Sequence, residues 1–408
     1  MGRAPALAIL AVYSVLMCPV AMAQSTVGLE TVVSVGEGDQ GLEGASISPD
    51  GEVVIAHGAD SKVFLIDPES PENHSKLDHT GELTMHDSAF HPGSNTALVV
   101  GDGGGVLRFV RSNNSLQEVG GGLLFGDTDL SAVSWNSDGT WAYIGGELGW
   151  LWRVRSMENG QLEAFSLEGR GSSDVSGISC VPGSNVCVLS SSVDGIGVID
   201  GDHGVHWIGG FGLPWVGVVC PSGSEMQCVA VSTDLTIAIV SINPGDPSKS
   251  MIFDNDVFTL QDAEGLINGI EVQSEGISLI STAPFGIIEH DLHARASFKW
   301  LENSDAVNFS AQVSDERIVS TWSTGSFEGW LITSEGSIIS YSPIGESSSG
   351  GLLEIWIGIV ILGGATLLVI SLITSSSPRL SRWIAIRIGS EEERKRAIRE
   401  ERLLSKKK

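Results

Sequence analysis

Positive charge is scarce in this chain. Across 408 residues, 23 Lys and Arg stand against 50 Asp and Glu, a net charge of -27. That deficit excludes a basic nucleic-acid binder. Aromatic residues are only 6% and cysteines only 5, while glycine reaches 51. Such a balance reads as turn-rich, yet 42% hydrophobic residues, spread in recurring runs, exclude a disordered chain. A helical period is missing between residues 30 and 342, so no α-helical domain is expected there. The signatures of common catalysts are missing too. There is no His-Glu-x-x-His zinc motif and no Gly-x-Ser-x-Gly nucleophile elbow. Gly101-Asp-Gly-Gly-Gly105 lacks the Lys-Ser/Thr of a phosphate loop and reads as a turn between strands. Asp254-Asn-Asp256 lacks the glycine and distal Glu of a calcium loop and reads as a solvated connection.

The two ends carry what the middle lacks. Residues 1–23 have Arg3, an apolar run over Ala6–Met17 and a small-x-small site at Ala21-Met-Ala23. That is the pattern of a cleaved secretory signal, which would also remove Cys18. Residues 355–373 are 19 residues without a charge, long enough at about 1.5 Å each to cross a bilayer core. Residues 378–408 then hold 11 Lys and Arg against 5 Glu. A basic flank is expected on the cytoplasmic side. The expected organisation is a signal peptide (1–23), an extracytoplasmic domain (24–345), a linker (346–354), a transmembrane helix (355–374) and a basic cytoplasmic tail (375–408). The predicted location is the plasma membrane, with a single pass. Residues 24–350 keep 44 of the acidic residues and 11 of the basic ones. So acidic an exterior fits either saline surroundings or a face that attracts cations.

Between the ends a unit recurs. Ile47-Ser-Pro-Asp-Gly51, Ala89-Phe-His-Pro-Gly93, Val133-Ser-Trp-Asn-Ser-Asp-Gly139 and Ile178-Ser-Cys-Val-Pro-Gly183 each join two apolar stretches. Val218-Val-Cys-Pro-Ser-Gly223, Ile270-Glu-Val-Gln-Ser-Glu-Gly276 and Phe309-Ser-Ala-Gln-Val-Ser-Asp315 continue the series. The turn residues Pro49, Pro92, Ser137, Pro182, Ser222, Ser274 and Ser314 are 40 to 52 residues apart. Alternating apolar stretches bounded by Gly, Pro, Asp and Ser are hairpin chemistry, and four strands per unit is the period of a propeller blade. The predicted fold is all-β, a seven-bladed β-propeller, with one C-terminal transmembrane α-helix. Eight blades remain open if the interval from Ser222 to Ser274 hides one. For ring closure, Thr31–Val35 and Ser337–Tyr341 compete as the outer strand of the last blade.

Ser48-Pro-Asp-Gly, followed by two strands ending at Val63-Phe-Leu-Ile-Asp67, resembles a blade of the WD40 and YVTN type. The resemblance covers residues 30–342. It implies that an Asp in the turn before the third strand locks the blade, a role that falls to Asp60 and Asp234. The Gly-His dipeptide and the Trp-Asp blade ending of that family are absent here.

Cys180 and Cys187 flank the first hairpin of the fourth unit, and Cys220 and Cys228 flank that of the fifth. Repeat equivalence favours the pairs 180–187 and 220–228, and an exported chain favours oxidation over a zinc site. Asn73, Asn113 and Asn308 open glycosylation triplets, the first two in expected loops and the third at a strand start. The nine histidines are scattered; the closest pairs are His203 with His206 and His290 with His293. No metal, cofactor or catalytic set is expected. Trp207, Phe211 and Trp215 surround a glycine-rich connection and form a possible interaction loop. The functional expectation is a membrane-anchored propeller that binds a protein or glycan partner as a scaffold. The alternatives are an exported propeller enzyme centred on its channel, or a single-pass ligand sensor.

Overall fold

A computed structural model describes residues 26–344, apart from 121, 158, 159, 225, 261, 262, 311 and 326, and residues 378–405, apart from 388. The signal peptide, the linker and the apolar segment predicted from the sequence lie outside the described residues. The chain divides into two units at residues 344 and 345.

The first unit is seven antiparallel sheets of four strands each. Blades 1 to 6 take consecutive strands from residues 42–76, 85–118, 130–166, 175–209, 215–259 and 266–301. Blade 7 takes Ile318–Gly325, Glu328–Thr333 and Ser337–Pro343, and its fourth strand is Val27–Ser34 from the start of the unit. Both candidates for closure therefore belong to one blade: Val33 pairs with Ile338 and Ser34 with Ser337. This pairing joins first strand to last and leaves no gap in the ring. No eighth blade lies in the long fifth interval. Its extra length forms Met251–Thr259, a nine-residue outer strand.

One unit differs from the sequence reading. Phe309–Asp315, expected as the first strand of the seventh unit, lies in a helix, Asn303–Phe309, and a short turn, Val313–Asp315. Glu302 and Asp305 form a capping box, which satisfies the free N–H groups of that helix start. The true first strand is Ile318–Gly325, and the missing fourth comes from the other end of the unit.

The strands alternate so that apolar residues of each blade meet the next blade. Seven clusters of buried side chains result, one between each pair of neighbours. Trp215 sits between blades 4 and 5 and Trp300 between 6 and 7, both fully buried. The two disulfides are present. Cys180 stands directly opposite Cys187 in the ladder of blade 4, and Cys220 bonds Cys228 in blade 5.

The second unit, as described, contains the helices Pro378–Arg387 and Glu391–Ser405. Ser390 and Glu393 cap the second, and Glu391 lies 3.7 Å from Lys395 one turn on. Among the described residues no helix is long and apolar enough to cross a membrane.

Candidate functional site

In an antiparallel blade the turn between strands 2 and 3 shares one face of the ring with the blade-to-blade connections. We call this the upper face. The turns between strands 1 and 2 and between strands 3 and 4 form the lower face. Both described chain ends of the propeller, at Thr26 and Ile344, belong to the lower face.

The first strands of all seven blades line a central channel of about 430 Å³. Each of these strands is a sheet edge, so its outward N–H and C=O groups need partners from elsewhere. Side chains of neighbouring blades supply them. Asp87 of blade 2 accepts from the Val133 N–H of blade 3 at 2.7 Å. Glu271 of blade 6 accepts from the Thr321 N–H of blade 7 at 2.6 Å and from its hydroxyl at 3.0 Å. Ser179 accepts from the Cys220 N–H, and Ser320 donates to the Ala45 carbonyl. A ring of short polar side chains thus stitches the inner edge.

Two of these stitches are acids in unusual condition. Asp87 and Glu271 touch the channel with part of their surface, but protein encloses them. Burial pushes each carboxyl up to about 7, against the hydrogen bonds that favour the charged form, and the Asp87 charge raises Glu271 further. Among the described residues no Lys or Arg lines the channel to compensate them. His86 also lines it, but its Nε2 is held by Asp102 at 2.6 Å. Acids near neutrality are chemically able to exchange protons, yet both have backbone N–H partners and serve the ring first. His57, on the second strand of blade 1 against the Met85 carbonyl, is fully buried, and that burial lowers its pKa to about 4.

The upper face is irregular. Exposed apolar side chains stand at its turns and connections: Leu83, Leu123, Leu148, Val193, Phe211, Leu266 and Val307. Two of them occupy left-handed backbone, Leu148 at φ 55 and Phe211 at φ 54, with exposures of 62% and 51%. The matching turns of blades 1 and 2 place Asp60 and Gly103 there, residue types that tolerate this conformation. A leucine gains neither comfort nor burial at that position. The lower face exposes fewer apolar groups, Ile47, Met157, Met251, Phe327 and Ile344, and of these Phe327 is also left-handed, at φ 64. The charges differ as well. Among the described residues the upper connections carry nineteen acids and three bases, the lower ones ten and three.

The structure places each residue singled out in the sequence. Asp60 is 69% exposed and lies 3.5 Å from Lys62. Asp234 accepts the Ser232 hydroxyl at 2.5 Å. The fuller turn networks belong to acids that the sequence reading passed over. Asp194 accepts from the N–H groups and hydroxyls of Ser172 and Ser173, all within 2.9 Å. Burial works against its charge, but these bonds prevail and lower its pKa to about 2. Asp102 takes the Thr84 N–H and His86. Their signal was present: both lie in the same strand 2–3 turns as Asp60 and Asp234.

Of the proposed interaction loop, only Phe211 is exposed. Trp215 is fully buried, with its N–H on the Gly210 carbonyl at 2.9 Å. Trp207 is half-buried and bonds the Gly169 carbonyl. Asn73 is exposed in the loop just before an outer strand and Asn113 in a turn; Asn308 is exposed on a helix. Asp256 is in an outer strand rather than a loop, is 2% exposed and pairs with Arg295 at 2.5 Å. His203 meets the Tyr143 hydroxyl and His206 meets Asp200. Among the described residues no group of three or more His, Cys, Asp or Glu is placed to hold a metal ion.

No protein-family model matches this chain, and no curated protein matches it. The propeller fold fits a protein-binding or scaffold module.

Proposed function

We propose that the chain is a membrane-anchored extracytoplasmic propeller that binds a protein partner through its upper face. The observation that carries this reading is Leu148, an apolar side chain held exposed in a conformation that disfavours it. Phe211 repeats the pattern one blade further on. Backbone strain of about 1 kcal/mol without burial is retained where something else is served. The other exposed apolar groups of the face extend the same surface. Export is supported by the two disulfides, which persist in oxidising compartments. Anchoring is supported by the apolar run 355–373 and the basic tail. The channel acids favour catalysis less, because each is tied to a backbone N–H of the next blade.

The test is cross-linking of the full-length protein in its native membrane, followed by mass spectrometry. A reproducible partner attached to upper-face residues supports the reading. Capture of this chain alone, from a well-expressed preparation, refutes it.

A further inference from the structure

We propose that a pocket at the upper end of blade 6, between its strand 2–3 turn and the connections on either side of that blade, takes an apolar side chain from a basic protein segment. This rests on the protein-binding reading and names the chemistry of the partner. The pocket measures about 530 Å³, within the usual range of about 300–1,000 Å³ for ligand sites. Its apolar lining comes from Ala283, Phe285, Ile288 and Leu301. The backbone at Gly265 closes one side. A Cβ there would lie 1.9 Å from the Ala283 carbonyl oxygen, and its φ is +87, so the position requires glycine.

The other side is built by an insertion. The connection 302–317 is the longest between any two blades, and its helix, Asn303–Phe309, contributes Asn303 and Ser304 to the pocket. Leu266 follows Gly265 in the chain and Val307 lies one helical turn beyond Ser304, 60% and 50% exposed. Ala283, Phe285, Ile288 and Leu301 give this mixed cavity an apolar floor between polar walls, and such a floor is where an anchor side chain seats in a protein interface.

Charge selects the occupant. Lys299 is the one base in the lining, and it is bonded to Glu302 at 2.7 Å. Glu264 and Glu302 stand at the pocket, and acids outnumber bases about sixfold over the surrounding face. A basic partner gains from that field; an acidic one is repelled. The field spans the face rather than the pocket alone, which favours an extended protein segment over a small molecule.

The probe is a labelled twelve-residue peptide of Lys and Ser around one central Leu, compared with a peptide of equal charge in which Ser replaces that Leu. Binding is measured to the full-length protein in detergent. The Leu peptide is expected to bind about tenfold tighter or better, which is one anchor of about 1.4 kcal/mol. Ser304→Trp, which fills the pocket from its exposed helix wall, should abolish the preference and leave the weak, salt-sensitive binding of both peptides. Val307→Asp should reduce it as a second variant, while Glu69→Lys on the lower face should not. Equal binding of the two peptides, or a preference that survives Ser304→Trp in a folded protein, overturns the proposal. If that happens while cross-linking still captures a partner, the protein-binding reading stands and only the pocket assignment falls. A Leu preference without any captured partner would have the opposite meaning.

Discussion

The two faces of the ring are made by the same strands and differ in almost everything else. The lower face is regular. Six of its seven strand 1–2 turns repeat the Pro/Ser and Asp/Gly pattern, two of them are fastened by disulfides, and Arg111 clamps Asp50 and Glu52 at 2.5 Å across blades 1 and 2. The Asp50 pKa falls to about 2, first from the Ser48 hydroxyl and then from Arg111. The upper face varies from blade to blade, with apolar tips, a helix and a pocket. One face keeps the ring together, and the other is free to be specific. Loops on a rigid frame are where binding residues gather.

If that division is right, perturbations on the two sides must separate stability from capture. The largest effect belongs to the lower face. Replacing Cys180 with Cys187, or Cys220 with Cys228, by serine pairs should cost about 2–3 kcal/mol each in unfolding experiments. Partner capture should be unchanged at temperatures where the protein stays folded. Next is Asp194→Ala, an upper-face lock rather than a contact, which should cost about 1–2 kcal/mol through the lost hydrogen bonds of Ser172 and Ser173.

A different effect is read as a pH slope rather than at one pH. Asp87 and Glu271 keep their protons when folded up to about pH 7, whereas the unfolded chain releases them near pH 4. The folded state therefore binds more protons in that window, and stability falls as pH rises from about 4 to about 7. Asp87→Asn with Glu271→Gln should flatten this slope in denaturation curves measured across it. His57 acts in the opposite sense: the unfolded chain takes up a proton below about 6.5 that the folded state refuses until about 4. Its contribution is lost as pH falls through that range.

The smallest change has the opposite sign. Leu148→Gly should raise stability by about 0.5–1 kcal/mol, because glycine accepts the left-handed conformation freely. It should also lower capture. A thermal scan paired with cross-linking yields reads both.

The contrast between faces also explains what the sequence could tell. Six blades were legible because the lower-face turns recur with fixed chemistry, from Ser48-Pro-Asp-Gly51 to Val272-Gln-Ser-Glu-Gly276. The cysteine pairs followed from the same register. The closing strand of the seventh blade, Val27–Ser34, was within reach as one of two candidates; what the sequence did not report is that both belong to the blade, paired across some 300 residues. Phe309–Asp315 copied the turn spacing while a capping box made it helical. The candidate sites were less legible still. Asp87 and Glu271 matter through burial and through which blade they face, and neither is a property of spacing. Trp207 and Trp215 look like an exposed pair in the sequence, but neighbouring strands cover Trp215 entirely. Leu148 carries no signal at all until its φ and its exposure are known together.

On the proposed function, the upper face receives a protein partner and the lower face does not. A photo-reactive residue placed at Leu148, and in a second protein at Glu69, tests it in the native membrane. A discrete adduct is expected from position 148 and none from 69. Equal adducts from both positions, or an adduct from 69 alone, would contradict it.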